Sequence, residues 1–260
     1  MSTRWIRIVA STSSRWSLAE PGSLAVSATF YAVVAVVLGA LWRAAAEANG
    51  GEIVGYSGAE LVWYVVASEA AFVPIPVRLI ETIGHDIATG AVAVEMLRPR
   101  SLLGVRIVTE VGRVLPRLGA CVIVGAVVGC VMAGAPPDAR SMTLAVPALV
   151  LGIVCNIAAQ HAFAGAAFWL RDAGSMWFLY HKLVFILGAM LLPVQVLPGW
   201  LRGIAYALPF VAMTYAPARL ASGHFEPALL LLQLGWIIVA LLAARVVFTA
   251  GQRRLQVVGG

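Results

Sequence analysis

One carboxylate stands deep within an apolar stretch of this sequence and is the residue best placed to do chemistry. Glu69 lies twelve residues into the stretch that begins at Ser57. A charge at that depth is costly to bury and by default marks a substrate, ion or proton path. A later apolar stretch carries Asn156, Gln160 and His161 at a similar depth, with Asn156 and Gln160 on one helical face at i, i+4. These four side chains predict either a polar path or hydrogen bonds that hold helices together.

Most other chemistry is excluded by the motifs that the sequence lacks. The only lysine, Lys182, follows a histidine, so the chain has no G-x-x-x-x-G-K-[ST] loop and cannot hydrolyse ATP by that route. Neither H-E-x-x-H nor G-x-S-x-G occurs. We therefore predict no catalytic residue, no metal and no cofactor in this chain. The four histidines lack a carboxylate or cysteine at ligand spacing in a shared apolar stretch: His85, His161, His181 and His224.

The composition explains why so few polar residues are available. Hydrophobic residues make up 61% of the 260 positions and charged residues only 12%, whereas a soluble domain carries about a quarter charged residues. The mean hydropathy is +0.92. So few charges cannot cover a surface that faces water, and the chain is therefore predicted to lie mostly in lipid. A soluble globule, a disordered chain and a nucleic-acid binder are excluded on the same grounds.

Six apolar stretches are long enough to cross a bilayer as helices, which needs about 17 to 25 residues each. The sequence thus predicts an all-α integral membrane protein, folded as one domain over residues 1–260. A shorter piece, Trp200 to Ala216, contains a proline at 209 and is predicted to be re-entrant. The six predicted crossings are Gly22–Trp42, Ser57–Val77, Val114–Ala133, Met142–Leu170, Trp177–Leu197 and Pro227–Phe248.

The distribution of positive charge predicts the orientation of the chain. With a cytoplasmic N-terminus, fourteen of the 18 Lys and Arg residues fall on the cytoplasmic side, and cytoplasmic loops are enriched in such residues. An even number of crossings returns the C-terminus to that side. The four cations left outside are Arg43, Arg140, Arg202 and Arg219.

Two segments outside the crossings show helical periodicity. Residues 1–20 place apolar side chains on one face and arginines on another, which is typical of a helix that lies at a lipid surface. The cytoplasmic segment 78–106 repeats Ile80, Ile83 and Ile87 beside acidic residues. Such a helix either rests on lipid or docks into a groove on another protein.

Two longer patterns resemble a known family. Gly188 to Pro209 reads GAMLLPVQVLPGWLRGIAYALP, and Ile87 to Ser101 reads IATGAVAVEMLRPRS. Together with the six-crossing layout they resemble ABC-2 type transporter permeases, in the branch whose chains are about as long as this one, roughly 260 residues. Two details differ from the family pattern: Gly188 is five rather than four residues before Pro193, and Arg100 adds a cation after Pro99.

The resemblance implies an export permease in the cell membrane that pairs with a second permease copy, identical or paralogous. A separate ATPase subunit would bind ATP and Mg²⁺ and drive it. Segment 193–217 would form an outer re-entrant hairpin, with a gate at Pro193, Pro198, Trp200 and Pro209. The residues near the ATPase groove would be Ile80, Glu81, Ile83, His85, Asp86 and Ile87.

One alternative from another class stays open at this point. A secondary carrier or channel would use Glu69 as its coupling site, although such carriers usually bury several carboxylates in two related halves. An intramembrane enzyme or a simple membrane anchor is less consistent with the residues. The few fixed charges in the crossings favour a lipophilic or amphipathic substrate, and membrane lipids are the other expected partners.

Overall fold

The computed structural model describes residues 3–96, 101–170 and 173–258, and 81% of them are helical. The prediction of an all-α fold is confirmed, with a two-stranded hairpin as a small addition. The helices are α1 (Thr3–Leu18), α2 (Pro21–Ala48), α3 (Gly58–Ala70), α4 (Leu79–Ala88), α5 (Ala91–Met96), α6 (Leu102–Ala133), α7 (Ala139–Ala164), α8 (Ala173–Leu187), α9 (Gly199–Tyr206), α10 (Ala216–Ala221) and α11 (Ala228–Val258); the strands are β1 (Glu52–Ile53) and β2 (Tyr56–Ser57).

Four of the described helices are long and apolar enough to cross a membrane: α2, α6, α7 and α11. They correspond to the first, third, fourth and sixth predicted crossings. The bounds differ most for α6, which begins at Leu102 instead of Val114 and has 32 residues. Its first turns therefore belong to the segment that was predicted as a connection between two crossings.

The second and fifth predicted crossings are not continuous helices. Helix α3 has 13 residues and α8 has 15, so they extend about 20 and 22 Å, less than the roughly 30 Å of a hydrocarbon core. Turns follow α3, where Pro74 and Pro76 have no N–H for a helical hydrogen bond. Helix α8 ends before Ala189, whose φ of 51° is left-handed. The six-crossing layout stays a prediction.

Helix α3 occupies the middle of the bundle. It begins with a capping box, in which Glu60 N donates to Ser57 Oγ and Ser57 N donates to the Glu60 carboxylate. Every residue from 61 to 70 is buried, and α2, α6 and α10 pack around the helix. Tyr31 on α2 donates a hydrogen bond to Val66 O at 2.8 Å. The glycines of α6 at 125 and 129 face Tyr31 and Trp63, so this G-x-x-x-G spacing packs helices within one subunit.

Helix α1 has a small polar face in addition to the apolar face and the arginine face that the sequence predicts. Ser13 and Ser17 are buried and Ser14 Oγ donates to Gly112 O at 2.7 Å, so a small polar face packs on α6. A side chain at Gly112 would collide with the backbone of Ala10, which explains the close approach. Trp16 and Ile8 remain exposed, as a helix resting on lipid requires.

The two ends of the bundle are distinct. Arg43 Nη1 donates to Met132 O at 2.6 Å, which joins the last turns of α2 and α6 beside the β1–β2 hairpin. We call this the hairpin end. Arg117 Nη2 donates to Ser23 Oγ at 2.9 Å nearer the start of both helices, and α1 packs there. We call this the α1 end, and the charge distribution predicts that it is cytoplasmic.

We predict that single cysteines at Arg140 and Arg253 label from opposite sides of the membrane. Both side chains are exposed, and Arg140 lies in the first turn of α7 whereas Arg253 lies near the end of α11. The measurement uses an impermeant thiol reagent on oriented vesicles of a variant whose native cysteines are replaced by alanine. That replacement also provides the unlabelled control. Labelling of both positions from the same side would contradict the proposed orientation.

Candidate functional site

A cavity of about 430 Å³ lies near the α1 end and is the main candidate site. It is bounded by the first turns of α2, the turns that follow α3, and one or more residues of α6, α7 and α8; we call it the α2 cavity. Val26 and Phe30 on its edge are 71% and 60% exposed, so the cavity opens sideways onto the apolar surface. Its lining is Gly22, Ser23, Val26, Ser27, Phe30, Phe72, Val73, Ile75, Pro76, Val77, Arg117, Gln160 and His181.

The polar groups of α7 form a small network with α8. Gln160 Nε2 donates to Asn156 Oδ1 at 2.9 Å, and Tyr180 OH donates to the same oxygen at 2.6 Å. Asn156 is fully buried, and its hydrogen bonds join α7 to α8. This favours a structural role for Asn156. Gln160 differs, because it also lines the α2 cavity; each residue has one side-chain atom without a partner among the described residues, Gln160 Oε1 and Asn156 Nδ2.

His161 points away from the α2 cavity. Its ring lies 6.5 Å from the ring of Phe248 on α11, and Nδ1 is 2.8 Å from Ile157 O. His161 is therefore not among the residues that line the α2 cavity with Gln160, and its role as a path residue stays a prediction.

Glu69 is 2% exposed and lies at the end of α3. Its Oε1 has no hydrogen-bond partner among the described residues, and Glu69 is not part of the α2 cavity lining. Glu69 Oε1 is thus not hydrogen-bonded to the α7 network, and the side chain does not face the α2 cavity. An unpaired buried carboxylate oxygen is rare enough to need an explanation, and its role as a path residue stays a prediction.

The apolar ridge of the cytoplasmic segment faces inwards. Ile80, Ile83 and Ile87 on α4 are all nearly inaccessible, and α4 packs against α7, α8 and the 3₁₀ turn at Gly165–Phe168. The expectation of an exposed isoleucine ridge is wrong, because the chain itself supplies the apolar surface that covers it. The exposed face of α4 carries Thr82 and His85, flanked by the half-buried Glu81 and Asp86.

Arg106 connects this segment to α6. Its guanidinium makes ion pairs with Asp86 at 2.8 Å and with Glu95 at 2.9 Å, so it links α4, α5 and α6. The sequence did not indicate this cluster, because Arg106 was placed in a connection and not on a helix. Residues 97–100 of the family-like pattern lie outside the described residues.

The predicted outer gate is a chain of short elements. Pro193 precedes the 3₁₀ turn Val194–Val196, Pro198 precedes α9, and Trp200 is exposed. After Pro209 the chain forms a π-helical turn, Val211–Tyr215, that continues into α10 and is buried throughout. The π-helical turn is tied to the end of α8, because Thr214 Oγ1 donates to Gly188 O at 2.6 Å. The gating role stays a prediction.

Sequence reasoning missed four polar residues of the α2 cavity: Ser23, Ser27, Arg117 and His181. The signal for two of them was present, since Ser23 and Ser27 recur at i, i+4 within the first apolar stretch. Arg117 was counted only as a cytoplasmic cation. Its contact with Ser23 spans 94 positions of the sequence, and no local pattern predicts it.

Comparison with known proteins agrees with the family resemblance. The family model for the ABC-2 family transporter protein matches residues 32–259, which includes every described helix after α2 and most of α2 itself. No curated protein matches the chain. The match covers well over half of the sequence, together with the four long apolar helices. The chain therefore belongs to the ABC-2 family of transporter proteins.

Proposed function

We propose that this ABC-2 permease forms half of the translocation path of an exporter for lipophilic or amphipathic substrates. The observation that carries the proposal is the α2 cavity. Its volume lies in the range of small-molecule sites, about 300–1,000 Å³, and its wall is mostly apolar with a few polar groups. Because the opening faces the apolar surface, a substrate dissolved in the membrane reaches it without crossing water.

The energy for transport would come from a separate subunit. Family membership implies an ABC ATPase partner, and the sequence lacks a phosphate-binding loop of its own. ATP and Mg²⁺ would therefore bind to that partner. The exposed face of α4 is one part of the cytoplasmic segment available for its docking, since the opposite face is covered by α7 and α8.

A second permease copy would complete the path. The α2 cavity is open on the side of Val26 and Phe30, so one chain encloses only part of a substrate. The second copy is either identical or a paralogue. We place the complex in the cell membrane with both termini cytoplasmic, as the fourteen cations on that side favour.

A second candidate function is supported by one observation. The unpaired Oε1 of the buried Glu69 is what a secondary carrier or channel would use to bind a coupling proton or ion. This function needs no ATPase. The two candidates therefore differ in the energy source that they require.

We predict that the purified chain hydrolyses no ATP alone and that turnover appears only with an ABC ATPase subunit. Proteoliposomes loaded with a lipophilic dye measure transport and phosphate release together. The control uses an ATPase subunit whose phosphate-binding lysine is replaced by alanine. Turnover by the chain alone would overturn the assignment, and dye movement driven by an ion gradient without the ATPase would favour the carrier.

A further inference from the structure

We infer that Arg117 makes the α2 cavity a binding site for amphipathic anions. The ligand class is a lipophilic body that carries a carboxylate, phosphate or sulfate headgroup. The transport of such a ligand rests on the proposed function, whereas its binding does not. The inference begins from the charge state and the hydrogen bonds of one side chain.

Arg117 carries a fixed positive charge and forms no close ion pair with a carboxylate among the described residues, although Glu110 is near enough to interact with it electrostatically. A guanidinium stays protonated in proteins. Its one hydrogen bond among the described residues runs from Nη2 to Ser23 Oγ at 2.9 Å, and its buried Nε has no partner there. Glu110, two turns earlier on α6, pairs with Arg113 at 2.9 Å instead. Arg117 therefore keeps hydrogen-bond donors and a net charge for a ligand.

The other polar groups around the α2 cavity fit the same headgroup. The described lining contains no carboxylate, so no full negative charge there repels an anion. Ser27 contributes a hydroxyl group. His181 donates from Nδ1 to Trp177 O at 2.9 Å, so Nε2 of the neutral ring is an acceptor for a hydroxyl or amide of the ligand and not a donor to its anionic group. Gln160 offers an unpaired amide oxygen that accepts from a hydroxyl or amide next to the charged group.

The position of Arg117 matches the depth at which a headgroup would lie. It contacts the first turn of α2 near the α1 end, whereas the apolar wall of Val26 and Phe30 continues along α2 towards the hairpin end. A bound amphiphile would place its charge on Arg117 and its chain along Phe30. Positively charged pockets between membrane helices on the cytoplasmic side bind anionic headgroups in this way.

The test measures binding to the intact chain in phosphatidylcholine nanodiscs, without ATP or ATPase. A fluorescent fatty acid is displaced by dodecyl phosphate, dodecyltrimethylammonium or dodecanol, which share a chain length and differ in charge. We expect dodecyl phosphate to displace the probe at a concentration at least about tenfold lower than the cation does, because charge-assisted hydrogen bonds are the strong ones. Equal displacement by the three compounds would overturn the inference.

Variants assign the effect to one side chain. Arg117→Gln should weaken dodecyl phosphate binding by about tenfold or more and leave dodecanol binding unchanged. Arg113→Gln, one turn away and already paired with Glu110, is the matched control and should bind normally. An unchanged Arg117→Gln, or equal losses in both arginine variants, would overturn the inference, as would loss of dodecanol binding in Arg117→Gln.

One further measurement distinguishes a bilayer lipid from a free amphiphile as the source of the headgroup. Another distinguishes failure of this inference from failure of the exporter proposal. Competition by phosphatidylglycerol added to the nanodisc would support the inference with a bilayer lipid as ligand. Undiminished binding of dodecyl phosphate in that nanodisc would support it with a free amphiphile. If anion binding depends on Arg117 and no ATP-driven transport is found with the ATPase, the exporter proposal fails and this inference stands.

Discussion

Replacing Gly152 by valine is expected to destabilise the protein more than a typical point substitution does. Gly152 on α7 faces the carbonyl oxygen of Met213 in the π-helical turn, so closely that an added Cβ would collide with it. Backbone atoms cannot move aside as the end of a side chain can. Overpacking a tight core costs about 1–3 kcal/mol, and a collision with backbone lies at the upper end of that range.

Helices α7 and α11 and the π-helical turn meet at this contact, which increases the expected loss of stability. Gln233 on α11 donates from Nε2 to Ala148 O of α7 and to Ala212 O of the π-helical turn, each at 2.8 Å. Displacing α7 would stretch these buried bonds. A loss of about 3 kcal/mol corresponds to a fall of roughly 6–12 °C in Tm for a chain of this size class. The measurement is the Tm of the purified protein in detergent.

Gly235→Val is the matched control. It adds the same side chain to a long apolar helix, and nothing lies within 4 Å of a Cβ built at that position. We expect its Tm to stay close to that of the unmodified protein. If Gly152→Val melted at the temperature of Gly235→Val, the close contact between α7 and the π-helical turn would be wrong.

The second large effect is expected from Arg106→Gln. The Arg106 side chain is 12% exposed and pairs with Asp86 and Glu95, which are themselves 31% and 37% exposed. Because water screens the two carboxylates in part, we expect a stability loss of only about 1–2 kcal/mol, below that of a fully buried pair. We also expect an effect on coupling, since the ion pairs link α4 and α5 to α6.

We expect transport per assembled complex to fall by about tenfold, as for a coupling change of 1.4 kcal/mol, while the ATPase subunit still co-purifies. Arg78→Gln is the control, because its side chain is 81% exposed and its pair with Glu81 at 3.4 Å is a surface pair. Combining Arg106→Gln with Asp86→Asn and Glu95→Gln should add little further loss. Normal transport by Arg106→Gln would show that the ion pairs only stabilise the fold.

The four long helices could be predicted because a helix that crosses a bilayer must be apolar over a length that the hydrocarbon core fixes. The first, third, fourth and sixth crossings follow from that rule, with shifts at their ends. The α3 region did not follow it. Its composition satisfies the rule, but Pro74 and Pro76 end the helix early. Composition reports how apolar a stretch is, and tertiary packing decides how much of it is helical.

The candidate site was predictable only where its residues lie on one helix. The i, i+4 spacing of Asn156 and Gln160 correctly predicted that they meet. Helical periodicity also identified the apolar face of α4. It did not identify the surface that covers this face within the chain, so the three isoleucines were predicted to contact another protein. Arg117 and Ser23 meet across two helices, and only their packing brings them together.

The burial of α3 has a consequence for how the chain enters the membrane during synthesis. A helix of 13 residues that carries Glu69 and Ser68 has little tendency of its own to partition into a bilayer. Helix α2, made before α3, supplies one part of its final surroundings, and α6 and α10, which the ribosome produces later, supply the rest. Helix α3 therefore acquires its full packing only after α6 and α10 have been made. The biogenesis of this bundle thus depends on elements made after α3.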